Sequence, residues 1–263
     1  MPYADVNGQR LYYEDSGGSG MALVLAHGLL MDHEMFAAQV AALSGGCRVV
    51  TWDERGHGLT ETTADDFSYW DSADDLRGLL DALGIERAVV GGMSQGGFLA
   101  LRFALAHPER VIGLVLIDTQ AGLEDEDKLP QYEMMVDVWV ADGPSDMIAS
   151  TVAAIIIGNE RPESAAWIEK WKARPTSQVR QTFRPLVTRD DITGRLGEIA
   201  APALVVHGTE DVAIEAARAE ALAAGLPCAG PVVWVPGAGH ASNLTHPEPV
   251  NAAIAGFLRG LRA

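Results

Sequence analysis

The sequence predicts an α/β fold, a doubly wound and mostly parallel sheet, on three observations. Short, continuous apolar runs alternate with helical stretches over most of the chain, the pattern of strands covered on both faces by crossover helices. The 263 residues are 48% hydrophobic, enough to close a sizeable core. One apolar run also passes directly into a glycine-rich turn and then a helix, an arrangement that presents side chains at the carboxyl edge of such a sheet.

The elements follow in order. Asn7-Gly8 between Tyr3–Val6 and Gln9–Glu14 predicts an antiparallel entry hairpin with a type I′ turn. Strands are expected at Ala22–Ala26, Cys47–Trp52, Ala88–Val90, Val111–Ile117, Ala203–Val206 and Val232–Val235. Helices are expected between them at Glu34–Leu43, Tyr69–Leu83, Gln95–Ala106, Ile214–Ala224 and Pro249–Leu261. From about Thr119 to Ile199 the strand signal disappears. Helical segments there are punctuated by Gly143-Pro144, Arg161-Pro162, Arg174-Pro175 and Arg184-Pro185, which read as helix boundaries. The expected organisation is a core of residues 1–118 and 200–263 with a helical lid, residues 119–199, inserted between two core strands.

Charge narrows the function classes. With 19 Lys and Arg against 36 Asp and Glu, the formal net charge is −17. A surface that acidic repels phosphate backbones and anionic lipid, so neither nucleic acid nor a membrane is an expected partner. Cys47 and Cys228 are far apart and have no metal-ligand spacing. The first fifteen residues lack the basic and apolar regions of a signal peptide, so a cytoplasmic protein is expected.

The chemistry centres on Gly92-Met93-Ser94-Gln95-Gly96, which follows the strand at Ala88–Val90 and opens a helix. A serine on so tight a strand-to-helix turn is held in a strained conformation with its hydroxyl projecting over a helix N-terminus. It needs a base. Of the seven histidines, His27 and His207 end strands before glycine and suit structural roles at tight turns. His33, His107 and His246 lie at helix ends, where solvation or capping is expected of the first two. His57 is a minor candidate. His240, in a glycine-rich loop after the last strand, sits on the edge that carries Ser94 and is the expected base. Asp211, after the penultimate strand, completes the order Ser…Asp…His. Asp118, at the end of the strand after the nucleophile helix, is its main rival, and Glu210 a weaker one. Expected oxyanion donors are the backbone N–H groups of Gln95 and Leu29, with the Gln95 side chain adding polarity beside them.

Together these segments resemble the serine hydrolases of the α/β-hydrolase superfamily. His27-Gly28, Asp53-Glu54-Arg55-Gly56-His57-Gly58, the Gly92–Gly96 elbow, His207-Gly208-Thr209-Glu210-Asp211 and Gly237-Ala238-Gly239-His240 carry the resemblance. It is nearest to bacterial arylesterases, 3-oxoadipate enol-lactonases and cofactor-free haloperoxidases. Gln95 departs from the Met of many arylesterases, and Asp211-Val-Ala-Ile from the common Asp-x-x-x-Pro.

The resemblance implies an eight-stranded sheet and acyl transfer through an acyl-enzyme on a small to medium ester or lactone, with no metal or other cofactor. Enol-lactone hydrolysis and peroxide-dependent perhydrolysis use the same residues, and a ligand receptor on this fold is the reading from another class. A monomer or homodimer is expected. Leu30, Met134, Trp139, Ile157 and Trp167 are the expected pocket residues, for an apolar or aryl group. Lys170, Lys172, Arg174 and Arg180 in the same interval leave an acidic substrate open.

Overall fold

The computed structural model describes residues 2–61, 66–158, 161–174 and 178–261. Eight strands form one sheet in the order β1-β2-β4-β3-β5-β6-β7-β8. β1 (Tyr3–Val6) and β2 (Gln9–Asp15) are the entry hairpin, with Asn7 and Gly8 both at positive φ, as a type I′ turn requires. β2 joins β4 (Arg48–Trp52) antiparallel; every later pairing is parallel. The remaining strands are β3 (Ala22–Ala26), β5 (Ala88–Met93), β6 (Val111–Ile117), β7 (Ala203–Gly208) and β8 (Val233–Val235).

The continuous apolar runs divide by alternation into two cores. Val24, Val50, Val90, Leu114 and Val205 face one layer, shared with Leu76 and Leu80 of α2 (Tyr69–Ala82), Phe98 of α3 (Gln95–Ala106) and Leu222 of α8 (Ala216–Gly225). Leu23, Leu25, Val89, Val115 and Val206 face the other, with Leu43 of α1 (Ala37–Leu43) and Ile254 of α10 (Pro247–Gly260). A short α9 (Ser242–Thr245) precedes α10. Among the described residues no helix is long and apolar enough to cross a membrane.

Several boundaries differ from the sequence reading. The helix expected at Glu34–Leu43 is a 3-10 turn, His33–Phe36, capped by the Asp32 side chain, followed by α1. The helix expected from Ile214 starts at Ala216, because the amides of Ala213 and Ile214 are committed to the Asp211 carboxylate. β5 continues through two glycines to Met93. There a Cβ on Gly91 would strike the Val115 carbonyl, so only glycine lets the neighbouring strand pair this closely.

Between β6 and β7 lie α4 (Leu129–Asp142), α5 (Asp146–Ile156), α6 (Pro162–Ala173) and α7 (Val179–Thr188). Gly143, at φ 76°, ends α4, Ser145 caps α5, and Pro162 opens α6. Pro175 falls outside the described residues. Arg184-Pro185 is not a boundary: Pro185 sits inside α7, one turn before its end. Trp139 and Trp171 meet edge to face at 6.4 Å under this layer, and the Trp171 indole donates to the Leu30 carbonyl at 2.8 Å.

Candidate active site

The turn after β5 holds Ser94 at φ 52° and ψ −113°, a left-handed conformation that an L residue keeps only when its surroundings impose it. The surroundings do so. Ser94 N–H donates to the Ile117 carbonyl at 2.9 Å, and a Cβ on either Gly92 or Gly96 would run into the Ala26 carbonyl. The elbow can therefore press against β3 only with glycine at both positions. Asp118 repeats the device at the end of β6, with φ 46°.

His240 lies in the loop after β8. Its Nδ1–H donates to Asp211 Oδ2 at 2.8 Å, and its Nε2 accepts from the Ser94 hydroxyl at 2.9 Å. Asp211 Oδ1 is fixed by the Ala213 and Ile214 amides at 2.8 and 2.9 Å. Burial favours the neutral form of each group, yet their pairing pulls both the other way. The Asp211 field and hydrogen bond raise the His240 imidazole against burial, and His240 holds the Asp211 carboxyl below its ordinary range.

Asp118, the rival acid, is placed differently. Its oxygens accept from the amides of Gly208 and Ser242, at 2.8 and 2.9 Å, and burial beside Asp211 pushes its carboxyl up to about 7. It ties β7 to the loop carrying His240. Ligand atoms of Asp118, His207 and Asp211 lie within 4.8 Å of one another, but the carboxylate lone pairs already receive N–H donors, so this cluster is a poor fit for a cation.

The other histidines are structural. His27 bridges Gly28 O and the Glu54 amide, His57 meets the Arg55 carbonyl, and His207 Nε2–H donates to Ile214 O at 2.9 Å. His107 pairs with Asp74, and His246 with the Thr245 hydroxyl. His33 is buried, not solvated: its Nδ1 lies 2.8 Å from Asp53 Oδ1. The Gln95 side chain points away from the cleft into a buried chain. Tyr69 OH donates to Gln95 Oε1 at 3.3 Å, and Gln95 Nε2 donates to Glu54 Oε1 at 3.1 Å.

Above Ser94 and His240 opens a cleft with about 700 Å³ of empty space, its mouth included. Leu29 and Leu30 line it from the β3 loop, Met135 and Ile156 from the helical layer, and Phe183 and Leu186 from α7. Glu124 and Tyr132 supply its polar spots, with Glu124 held by Arg189 at 2.8 Å. Of the expected pocket residues, only Leu30 lines it. Met134 is 68% exposed on the outer face of α4, one residue out of helical phase with Met135. Trp139, Ile157 and Trp167 are buried in the core beneath the helices. The four cations are engaged elsewhere too. Lys170 pairs with Asp32 and Glu34, Lys172 with Asp146 and Arg180 with Asp137, while Arg174 donates to the Leu30 and Gly56 carbonyls.

Residues 22–157 match the model of the alpha/beta hydrolase fold family, more than half of the chain. The chain belongs to that family. This α/β-hydrolase is also matched over residues 157–262 by a family described as TAP-like protein. It is 30% identical to RutD of Caulobacter sp. strain K31, whose name assigns it carbamate hydrolysis, over 95% of this chain and 96% of that one. Among solved structures, a thermophilic esterase from Thermogutta terrifontis superposes with a TM-score of 0.91 at 28% identity, covering 99% of this chain and 98% of the other. The enol-lactonase from Burkholderia xenovorans LB400 gives 0.90 at 28% identity, covering 98% and 100%. This α/β-hydrolase is an enzyme of the esterase or lactonase type.

Proposed function

We propose that the enzyme is a serine carboxylic-ester hydrolase whose triad is Ser94, His240 and Asp211, acting on neutral esters or lactones with an apolar acyl or aryl group. The observation that carries the reading is the unbroken hydrogen-bond chain from Ser94 Oγ through His240 to Asp211 at the foot of an apolar cleft.

Ser94 Oγ attacks the substrate carbonyl carbon as its proton passes to His240 Nε2. The carbonyl oxygen becomes an oxyanion, met by the backbone N–H groups of Leu29 and Gln95. Neither amide has a hydrogen-bond partner among the described residues, which leaves both available for developing charge. Collapse of the tetrahedral adduct breaks the bond to the leaving alkoxide, which takes the proton from imidazolium. Water then enters, loses a proton to His240 and releases the acid from Ser94. Residues 119–199 serve as the cap over the cleft. The enol-lactonase neighbour supports the lactone form of the reaction, in which the leaving oxygen stays tethered to the acyl group.

The test is a panel of p-nitrophenyl esters, aliphatic esters and lactones, read against Ser94→Ala. The expected outcome is turnover of neutral apolar members and a loss of at least about 10⁴-fold in the variant, which retains its fold. Full turnover in Ser94→Ala removes the reading.

A further inference from the structure

Resting on that reading, we infer that Thr119, with His27 as its counterpart, is a positioning residue for the oxyanion site, each donating to the carbonyl of the peptide whose N–H receives the developing charge. A peptide group is planar, so the carbonyl of one residue and the N–H of the next form one rigid unit. The Gln95 N–H shares its peptide with the Ser94 carbonyl, and the Leu29 N–H with the Gly28 carbonyl. Thr119 Oγ1 donates to Ser94 O at 2.7 Å, and His27 Nδ1 lies 2.8 Å from Gly28 O. A bond to the oxygen fixes the direction of the N–H at the far end. It also draws electron density toward the oxygen and makes that N–H a stronger donor.

The roles of donor and acceptor follow from the surroundings. A backbone N–H, that of Glu54, donates to His27 Nε2 at 3.0 Å, so Nε2 carries the lone pair and Nδ1 the proton. His27 is fully buried, with its ring 4.7 Å from that of His57. Thr119 is buried too, and it reaches the elbow because Asp118 turns the chain at positive φ. Gly97 makes the approach possible: a Cβ there would collide with the Thr119 side chain. Each carbonyl also accepts from the backbone, Ser94 O from Gly97 and Phe98 and Gly28 O from Met31. The side chains are therefore additional donors to carbonyls already bonded by the main chain. Because the oxyanion exists only on the path to and from the tetrahedral adduct, this polarisation acts on turnover and leaves ground-state binding alone.

The experiment compares Thr119→Val, which keeps the shape and deletes the donor, with Thr119→Ser, which keeps the donor. Both are assayed on a p-nitrophenyl ester, with Ser94→Ala alongside and a boronic acid as the tetrahedral inhibitor. The expected result for Thr119→Val is a kcat lower by about three- to tenfold with KM within twofold, and inhibitor affinity weakened by the same factor. Thr119→Ser restores both. His27→Leu gives the matching loss through the other amide, and His27→Asn, with an amide donor near the Nδ1 position, recovers part of it. That pair carries the test if Thr119→Val does not fold. Wild-type kcat in Thr119→Val, a loss confined to KM, or an equal loss in Thr119→Ser overturns the inference while an inactive Ser94→Ala leaves the nucleophile in place. Turnover in Ser94→Ala overturns the underlying reading instead.

Discussion

A histidine as deeply buried as His240 would ordinarily give up its proton readily; here the Asp211 carboxylate outweighs burial and raises it above 6.5. Only the neutral imidazole can accept from Ser94, so kcat/KM should fall as pH drops through an acid limb lying above 6.5. In Asp211→Asn that limb should move to lower pH, with kcat reduced about 10³–10⁴-fold, as a pH–rate profile would show. Glu54 is the second titrating residue of consequence. Burial, with Asp75 nearby, pushes its carboxyl up to about 8, against the hydrogen bond from Gln95. Its raised value means that the folded protein keeps a proton that the unfolded chain releases between about pH 4.5 and pH 8. Stability is fully present below that window and declines as pH rises through it. Glu54→Gln should flatten this share of the decline, of the order of a few kcal/mol, seen as a smaller drop in Tm between pH 5 and pH 8.5.

At the scale of elements, the elbow is a contact between β3 and the start of α3 that tolerates no side-chain carbon. Gly96→Ala must displace either the Ala26 carbonyl or the helix. It should cost about 1–3 kcal/mol of stability and most of the activity, measured by denaturation and by esterase assay. This element was legible in the sequence because strand, glycines, serine and helix are contiguous, and each constrains the next. Placement of His240 and Asp211 on one sheet edge was legible for a related reason: parallel strands deliver every following loop to the same side. Helix phase in the inserted segment was not legible. α4 has apolar residues around much of its surface, so the sequence pattern does not separate Met134 from its neighbour, and packing against α7 puts Met135 on the cleft instead. Thr119 went unnoticed because its role depends on the positive φ of Asp118, and a non-glycine residue gives no sequence sign of that conformation.

Across the whole molecule, the −17 net charge surrounds a cleft whose lining, among the described residues, holds Glu124 paired to Arg189 and no lysine or arginine of its own. The long-range field disfavours an anionic substrate, and the lining offers such a substrate no counter-charge. For a pair of esters differing only by a carboxylate on the acyl chain, the neutral one should be the better substrate. Added salt should raise kcat/KM for the charged ester and leave the neutral one nearly unchanged, because screening removes only the long-range part. The cations of the helical layer left an acidic substrate open in the sequence, and the tertiary structure spends them on Asp32, Asp137, Asp146 and backbone carbonyls. One of those attachments ties the helical layer to the cleft wall. Trp171 and Arg174, at the end of α6, both grip the Leu30 carbonyl, one residue beyond the Leu29 amide. Any outward movement of α6 would therefore pull on the loop after β3, whose Leu29 and Leu30 wall the cleft. The Lys172–Asp146 ion pair and the Trp139–Trp171 contact fasten α5 and α4 to the same helix, so the whole roof hangs from one carbonyl of that loop.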